Sequence, residues 1–364
     1  MRAVACLLSA SLAVAIAQAQ PPTPAPAPVA GPSGPAPTGL VVGSNNYFSP
    51  IVGALDEAVA FYRDGLGLDV QGAPADASNN PALRNMFGLP DATLRWQIAR
   101  AVPMRTGVEI IEPSKAGGKP LERRIQDPGA YSLIAIVRDI DATLARMKQL
   151  GAPVISVGGK PAVVPMSGTE KARMAVVRDP AGHFVEVVQP DTLRATQAPP
   201  TANVVEVRVR LAVADVERSL KLYRDELGMH ELSKSDWIDN PVVADALGVH
   251  GAKFRFGMLQ VPTSGLTFEV IDYKDIDRRT VQGRIQDPGS TRIQLQVRDI
   301  DATIAAMKKF GGEVVSTGGK PLDLPAGPST IKVAIVRDPD NLFVVLIQSP
   351  PPAAAPAAAA PATR

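Results

Sequence analysis

Two stretches place polar side chains at every second residue. In TRIQLQV (Thr291 to Val297), Arg292, Gln294 and Gln296 alternate with Ile293, Leu295 and Val297. In VEVRVRLAV (Val205 to Val213), Arg208 and Arg210 alternate with Val207, Val209 and Leu211. A period of two is that of a β-strand, so the guanidinium and amide groups share one face and the aliphatic groups the other. Such a face suits an anionic or polar small molecule, with arginine as a bidentate donor. Carboxylates sit inside three further β-branched runs: Glu109 in GVEII, Glu186 in FVEVV and Glu269 in TFEVI. The competing reading is structural, with an arginine paired to Glu269 in a buried salt bridge or the polar face simply solvated. The histidines are His183, His230 and His250, all in turn or loop segments, and they read as loop or surface residues.

These strands belong to a repeated frame. Ile125–Pro161 and Ile285–Pro321 are identical at 22 of 37 positions at a constant offset of 160. The differences concentrate in one strand, AYSLIAI in the first copy and STRIQLQ in the second. FYRDGLGL matches LYRDELGM, NPALRNMFGLP matches NPVVADALGVH, and VVRDPAGHFVEVVQ matches IVRDPDNLFVVLIQ. The repeat predicts two domains, 41–195 and 203–349, joined by 196–202. Within RDIDATLARMKQLG, Ile140, Leu144 and Met147 mark one helix face, with Asp139 as N-cap and Gly151 as the stop. Leu55, Val59 and Leu66 do the same for the first helix, ahead of Gly67. Alternating runs such as RMAVVRD and HFVEVVQ read as strands. The order βαβββ appears four times, an α+β fold of curved antiparallel sheets with helices outside. Asp-Pro-Gly at 127–129 and 287–289 is turn chemistry. GGKP lacks the context of a phosphate loop.

The 364 residues carry 45% apolar and 20% charged side chains and a net charge of +2. Mixed charges give no reason to expect nucleic acid as a partner. Residues 1–20 read as a cleavable signal peptide, with Arg2, a short apolar run and Ala17-Gln18-Ala19, so the chain is expected to be secreted or periplasmic and not inserted in a membrane. The single cysteine, Cys6, lies in that segment, leaving no thiol or disulfide chemistry. Residues 21–40 and 350–364 are Pro/Ala-rich and read as disordered spacer and tail.

AVAFYRDGLGL, VRDIDATLARMKQLGAPV and VRDPAGHFVEVVQ together resemble the vicinal-oxygen-chelate family, which includes glyoxalases, extradiol dioxygenases and bleomycin resistance proteins. The resemblance covers nearly all of both copies. It implies that pairs of modules close into cups, and that a metal is held by residues of the first and last strands. It places those positions at Tyr47, Glu109, Ser132 and Glu186 in the first copy. In the second copy they fall at Arg208, Glu269, Arg292 and Val345. Arginine has no lone pair for a metal, so no metal is expected in the second copy. The first copy keeps Glu109 and Glu186 as weak candidates for a divalent ion, the basis of an alternative lyase, isomerase or dioxygenase reading. The preferred reading is a metal-free cup in the second copy, lined by Arg208, Arg210, Glu269, Arg292, Gln294 and Gln296, that takes a small polar or anionic ligand. A third reading is an interaction module, with the chain acting as its own pseudo-dimer or as a homodimer.

Overall fold

The structure is a computed structural model that describes residues 34–350, apart from 78, 102–106, 167, 195 and 197. The expected signal peptide, the spacer up to residue 33 and the tail from 351 lie outside the described residues.

Four modules follow in chain order. The first holds β1 (Val41–Ser44), β2 (Ser49–Pro50), α1 (Leu55–Ala60), β3 (Asp69–Val70), β4 (Ala75–Asp76), α2 (Pro81–Met86), β5 (Thr93–Arg100) and β6 (Val108–Ser114). The second holds β7 (Tyr131–Val137), α3 (Ile140–Gln149), β8 (Ala162–Pro165), β9 (Lys171–Arg178) and β10 (Phe184–Pro190). The third holds β11 (Val204–Ala212), α4 (Val216–Leu220), β12 (His230–Lys234), α5 (Pro241–Ala246), β13 (Lys253–Gln260) and β14 (Thr267–Lys274). The fourth holds β15 (Thr291–Val297), α6 (Ile300–Lys309), β16 (Glu313–Val314), β17 (Leu322–Ala326), β18 (Ser329–Arg337) and β19 (Phe343–Gln348). The α+β architecture with outer helices is the one read from the pattern. Asp139 caps α3 by accepting from the Ala142 amide at 2.9 Å, and Gly151 ends it with φ 77°. α1 and α4 each run on into π-helical turns, Phe61–Leu66 and Lys221–Glu226.

The cups do not close within each copy, as the sequence reading had it. One sheet runs β12-β13-β14-β11-β7-β10-β9-β8, joining the second and third modules across the two copies. Another runs β1-β15-β19-β18-β16, so the first module contributes β1 and β2 to the fourth. Bridges Phe48 to Val108 and Ile51 to Ile111 tie that sheet to β6. There is thus an inner cup from modules two and three and an outer cup from modules one and four. Each copy instead joins its own two modules through the helix layer. Leu133, Ala135, Val207, Val209, Ile293 and Leu295 pack there with Ile140, Leu220, Ile300 and Met307. The opposite strand faces line two separate apolar clusters, one in each cup.

Turn and helix residues lock the copies together. Asp127 of the first DPG turn accepts from the Arg279 amide at 2.9 Å, and Asp287 of the second accepts from the Lys119 amide at 2.9 Å. Gly129 has φ 86°, and a Cβ there would lie 2.2 Å from the Asp340 carbonyl oxygen, so only glycine fits. Within each copy a tyrosine of the first helix bonds the aspartate of the DP turn: Tyr62 to Asp179 at 3.0 Å and Tyr223 to Asp338 at 2.6 Å. His183, expected as a loop or surface residue, does lie in the turn but is 2% exposed. Its ring bridges the Asp179 carboxylate, 3.1 Å from Nδ1, and the Ser290 carbonyl oxygen, 3.1 Å from Nε2. The bridge to the other copy's backbone is what buries the ring.

In the second copy Leu342 stands where His183 does in the first, and the two aspartates differ accordingly. Burial pushes against ionisation of Asp179, but the bonds from His183 and Tyr62 together outweigh it and hold the carboxyl below its usual range. Asp338 has Leu342 in place of that histidine, and burial, then Asp340, push it up to about 7. A carboxyl with a raised folded pKa contributes stability that is complete below its unfolded value, roughly 3.9. That contribution is lost as pH rises through the folded value. Asp338→Asn mimics the protonated form, so its melting temperature relative to the parent chain should climb between pH 5 and pH 8. A difference that stays constant over that interval would contradict the assignment.

Candidate functional site

In the outer cup, the middle of β15 meets β2 and β6. Ser49 pairs with Arg292 in antiparallel register. Arg292 Nη2 donates to Glu109 Oε2 at 2.8 Å, Gln294 Nε2 donates to the same oxygen, and Ser49 Oγ lies 3.4 Å from it. Arg292 is 1% exposed and Glu109 6%, so the pair is buried. The Arg292 guanidinium lies over the Phe87 ring, 4.6 Å from its centroid. Around this head a cavity of about 30 Å³ is walled by Leu83, Met86, Phe87, Trp96, Val333 and Val345, among others. That volume holds no more than about two waters. Arg292 Nε and Gln294 Oε1 are buried without a hydrogen-bond partner. α2 closes the cup: Asn80 caps it by accepting from the Leu83 amide, and Ser316 Oγ of the other copy donates to the Met86 carbonyl at 2.7 Å.

In the inner cup, Arg210 of β11 lies opposite Ser132 of β7 and beside Glu269 of β14. Its Nε donates to Glu269 Oε1 at 2.6 Å and its Nη1 to Glu186 Oε2. Burial raises the Glu186 carboxyl to about 7, with Arg210 opposing and Glu269 adding to the rise. The rest of this cup is filled by Ile134, Ile136, Met174, Phe184, Phe254 and Tyr273, among others. α5 closes it as α2 closes the outer cup, with Ser156 Oγ donating to the Ala246 carbonyl at 2.6 Å.

The single cup drawn from sequence therefore divides. Arg210 and Glu269 join Ser132 and Glu186 in the inner cup, while Arg292 and Gln294 join Glu109 in the outer one. Gln296 lies further along β15 and donates to Asn45 Oδ1 at 2.6 Å. Two first-strand positions move by two residues. Tyr47 lies in a bend, buried in the helix layer, and Ser49 takes the place opposite Arg292. Arg208 pairs with Glu206 at 2.6 Å, and Arg210 takes the place opposite Ser132. Glu109 and Glu186 face different cups and cannot share one ion. Phe87, Trp96, Ser49, Ser156 and Ser316 were not anticipated. The repeated serine ahead of GGKP in both copies was the available signal for the last two.

The family's metal does not suit these residues. A guanidinium, which has no lone pair to give, is bonded to the carboxylates of each cup. No imidazole faces either cup: His183 is engaged in its turn, His230 is exposed on β12, and exposed His250 bonds Asp245 at 2.6 Å. Among the described residues, no three His, Cys, Asp or Glu side chains gather as metal ligands.

The family profile for the Glyoxalase/Bleomycin resistance protein/Dioxygenase superfamily matches residues 46–187 and 206–346. A probable lactoylglutathione lyase of Synechocystis sp. is 28% identical over 139 residues, 38% of this chain and 91% of that protein. Glyoxalase I of Zea mays superposes with a TM-score of 0.52 at 19% identity, covering 83% of this chain and 91% of the other. A variant of the same maize enzyme gives a TM-score of 0.54 at 20% identity, over 83% of this chain and 92% of the other. At these identities the likeness to solved structures is one of fold.

The buried Arg292–Glu109 pair sets a stability test. Arg292→Met strands the Glu109 charge in an apolar cup and should cost about 3–5 kcal/mol, whereas Glu109→Leu combined with Arg292→Met should recover most of it. Urea unfolding of the two single variants and the double variant measures this. A loss under about 1 kcal/mol for Arg292→Met would show that the pair is solvated.

Proposed function

We propose, for a chain that belongs to the Glyoxalase/Bleomycin resistance protein/Dioxygenase superfamily, metal-independent binding of a small uncharged molecule in the outer cup. The observation behind this is that two residues lining the cavity each carry an unpartnered buried atom, Arg292 Nε as donor and Gln294 Oε1 as acceptor. Buried polar groups left unpaired are costly, and a ligand that pairs both recovers that cost. The charge of the site selects the ligand class. Glu109 cancels Arg292, so a carboxylate or phosphate would add a buried net negative charge beside Glu109. An adjacent donor and acceptor, as in an amide or a hydroxy-carbonyl group, matches both atoms, and Phe87 and Trp96 suit an apolar body. This narrows the sequence reading of an anionic or polar ligand to a neutral one. Entry requires α2 to move, since the closed cavity is too small for such a molecule.

A catalytic reading, in line with the lyase name of the Synechocystis relative, has less support, because the cation facing Glu109 is a guanidinium fixed in a buried pair. Export is part of the proposal and rests on residues 1–20. Expressed with its own N-terminus, the chain recovered from the exported fraction should have an intact mass lacking roughly the first 20 residues. An uncut mass would remove that part.

Binding is readable at Trp96. With Trp237→Phe, Trp96 is the remaining one of the two tryptophans. Small amides and hydroxy-ketones with apolar bodies should quench it saturably and raise the melting temperature. Gln294→Leu should weaken this binding roughly tenfold. Preference for carboxylates or phosphates would refute the neutral head. No response to any class would remove the binding role.

A further inference from the structure

The inner cup is built differently, and it supports an inference independent of the ligand reading of the outer cup. Two carboxylates from different copies, Glu186 on β10 and Glu269 on β14, are hydrogen-bonded to one guanidinium, that of Arg210. Both are buried, Glu186 at 0% exposure and Glu269 at 6%. Glu186 Oε1 is fully buried with no partner. Ser132, 2% exposed, lies directly opposite Arg210 in the strand register. Two carboxyl groups thus converge on one guanidinium, a single charge at a place where a divalent ion would bring two.

We infer that Arg210 is a tethered cation standing where a divalent ion would otherwise bind the Glu186–Glu269 pair, and that replacing it by histidine converts the inner cup into a divalent-metal site. The guanidinium is carried on the middle of a central strand, so it cannot be diluted away, and its charge repels an incoming ion. Its removal leaves two carboxylates and the Ser132 hydroxyl. Histidine at 210 adds an imidazole, completing four donors of the oxygen and nitrogen type that zinc, manganese and nickel accept.

The outer cup supplies an internal control. Its corresponding groups are Glu109, Arg292 and Val345, because Val345 pairs with Ile335 just as Glu186 pairs with Val176 in the repeated frame. Only one carboxylate is present there. Arg292→His would therefore offer too few donors to hold an ion. The two cups share the same strand arrangement and a strand-borne arginine, and they differ in the second carboxylate.

The experiment uses the mature chain and its Arg210→His, Arg210→Ala and Arg292→His variants. Each is incubated with Mn²⁺, Ni²⁺ or Zn²⁺, desalted and analysed for bound metal, and titrated by calorimetry. Arg210→His should retain about one equivalent and gain melting temperature with added metal, and Arg210→Ala should bind more weakly. The parent chain and Arg292→His should retain none. Adding Glu186→Gln to Arg210→His should abolish retention, which separates the inner cup from surface binding. One equivalent on the parent chain, lost on Glu186→Gln, would overturn the inference. So would folded Arg210→His and Arg210→Ala proteins that bind no metal at millimolar concentration. Failure of both to fold even with metal present would count against it equally, since the ion is required to substitute for the guanidinium.

Discussion

The pairing of first strands across the two copies governs this structure. β7 runs antiparallel to β11, and β15 runs antiparallel to β1 and β2. Each pairing brings the inward side chains of one copy against those of the other. Without it, neither Arg292 nor Arg210 would meet the carboxylates from the opposite copy, Glu109 and Glu186. The helix layer, the DPG turns and the two capping helices all reinforce the same crossing. Ser316 holds the helix of residues 81–86, and Ser156 holds that of residues 241–246, each from the opposite copy.

In both cups an arginine of the second copy answers a buried carboxylate of the first. In the outer cup the arginine comes from the second copy and the carboxylate from the first. In the inner cup the arginine again comes from the second copy and bonds one carboxylate from each. Outer-cup charge sums to zero and leaves a donor and an acceptor free at a small cavity. The inner cup sets two carboxyl groups against one guanidinium, and its remaining space is filled by isoleucine, phenylalanine and methionine side chains. Duplication followed by divergence at a handful of inward positions thus gives one cup filled by apolar side chains around a carboxyl pair and one with a small cavity beside its ion pair.

Much of the local structure was legible in the chain. The N-cap at Asp139, the stop at Gly151 and the inward placement of Arg292 and Gln294 all follow from short-range rules, because the strand period and the helix cap depend on neighbouring residues. The resemblance puts two first-strand positions at Tyr47 and Arg208, whereas the residues that face the opposite copy's strand at Arg292 and Ser132 are Ser49 and Arg210. For Arg208 a shift of two keeps the side chain on the same strand face, so the alternation pattern cannot detect it; Tyr47 lies in a bend, where no alternation holds. Only the register, Ser49 against Arg292 and Arg210 against Ser132, fixes the depth along the strand. His183 was read as a surface turn residue because its partner, the Ser290 carbonyl, lies 107 residues away.

The sequence by itself determined the fourfold βαβββ frame, the family and the absence of inward-facing imidazoles at the strand positions. The tertiary structure decided which module closes on which. The two copies are so alike that β7 presents nearly the same aliphatic outer face as β15, and either could pair with either first strand as far as local preference goes. Chain closure, the helix contacts within each copy and the DPG turns tying Asp127 to Arg279 and Asp287 to Lys119 select the crossed arrangement. That selection, made over separations of well over a hundred residues, is what turns a row of arginines and glutamines into two separate sites.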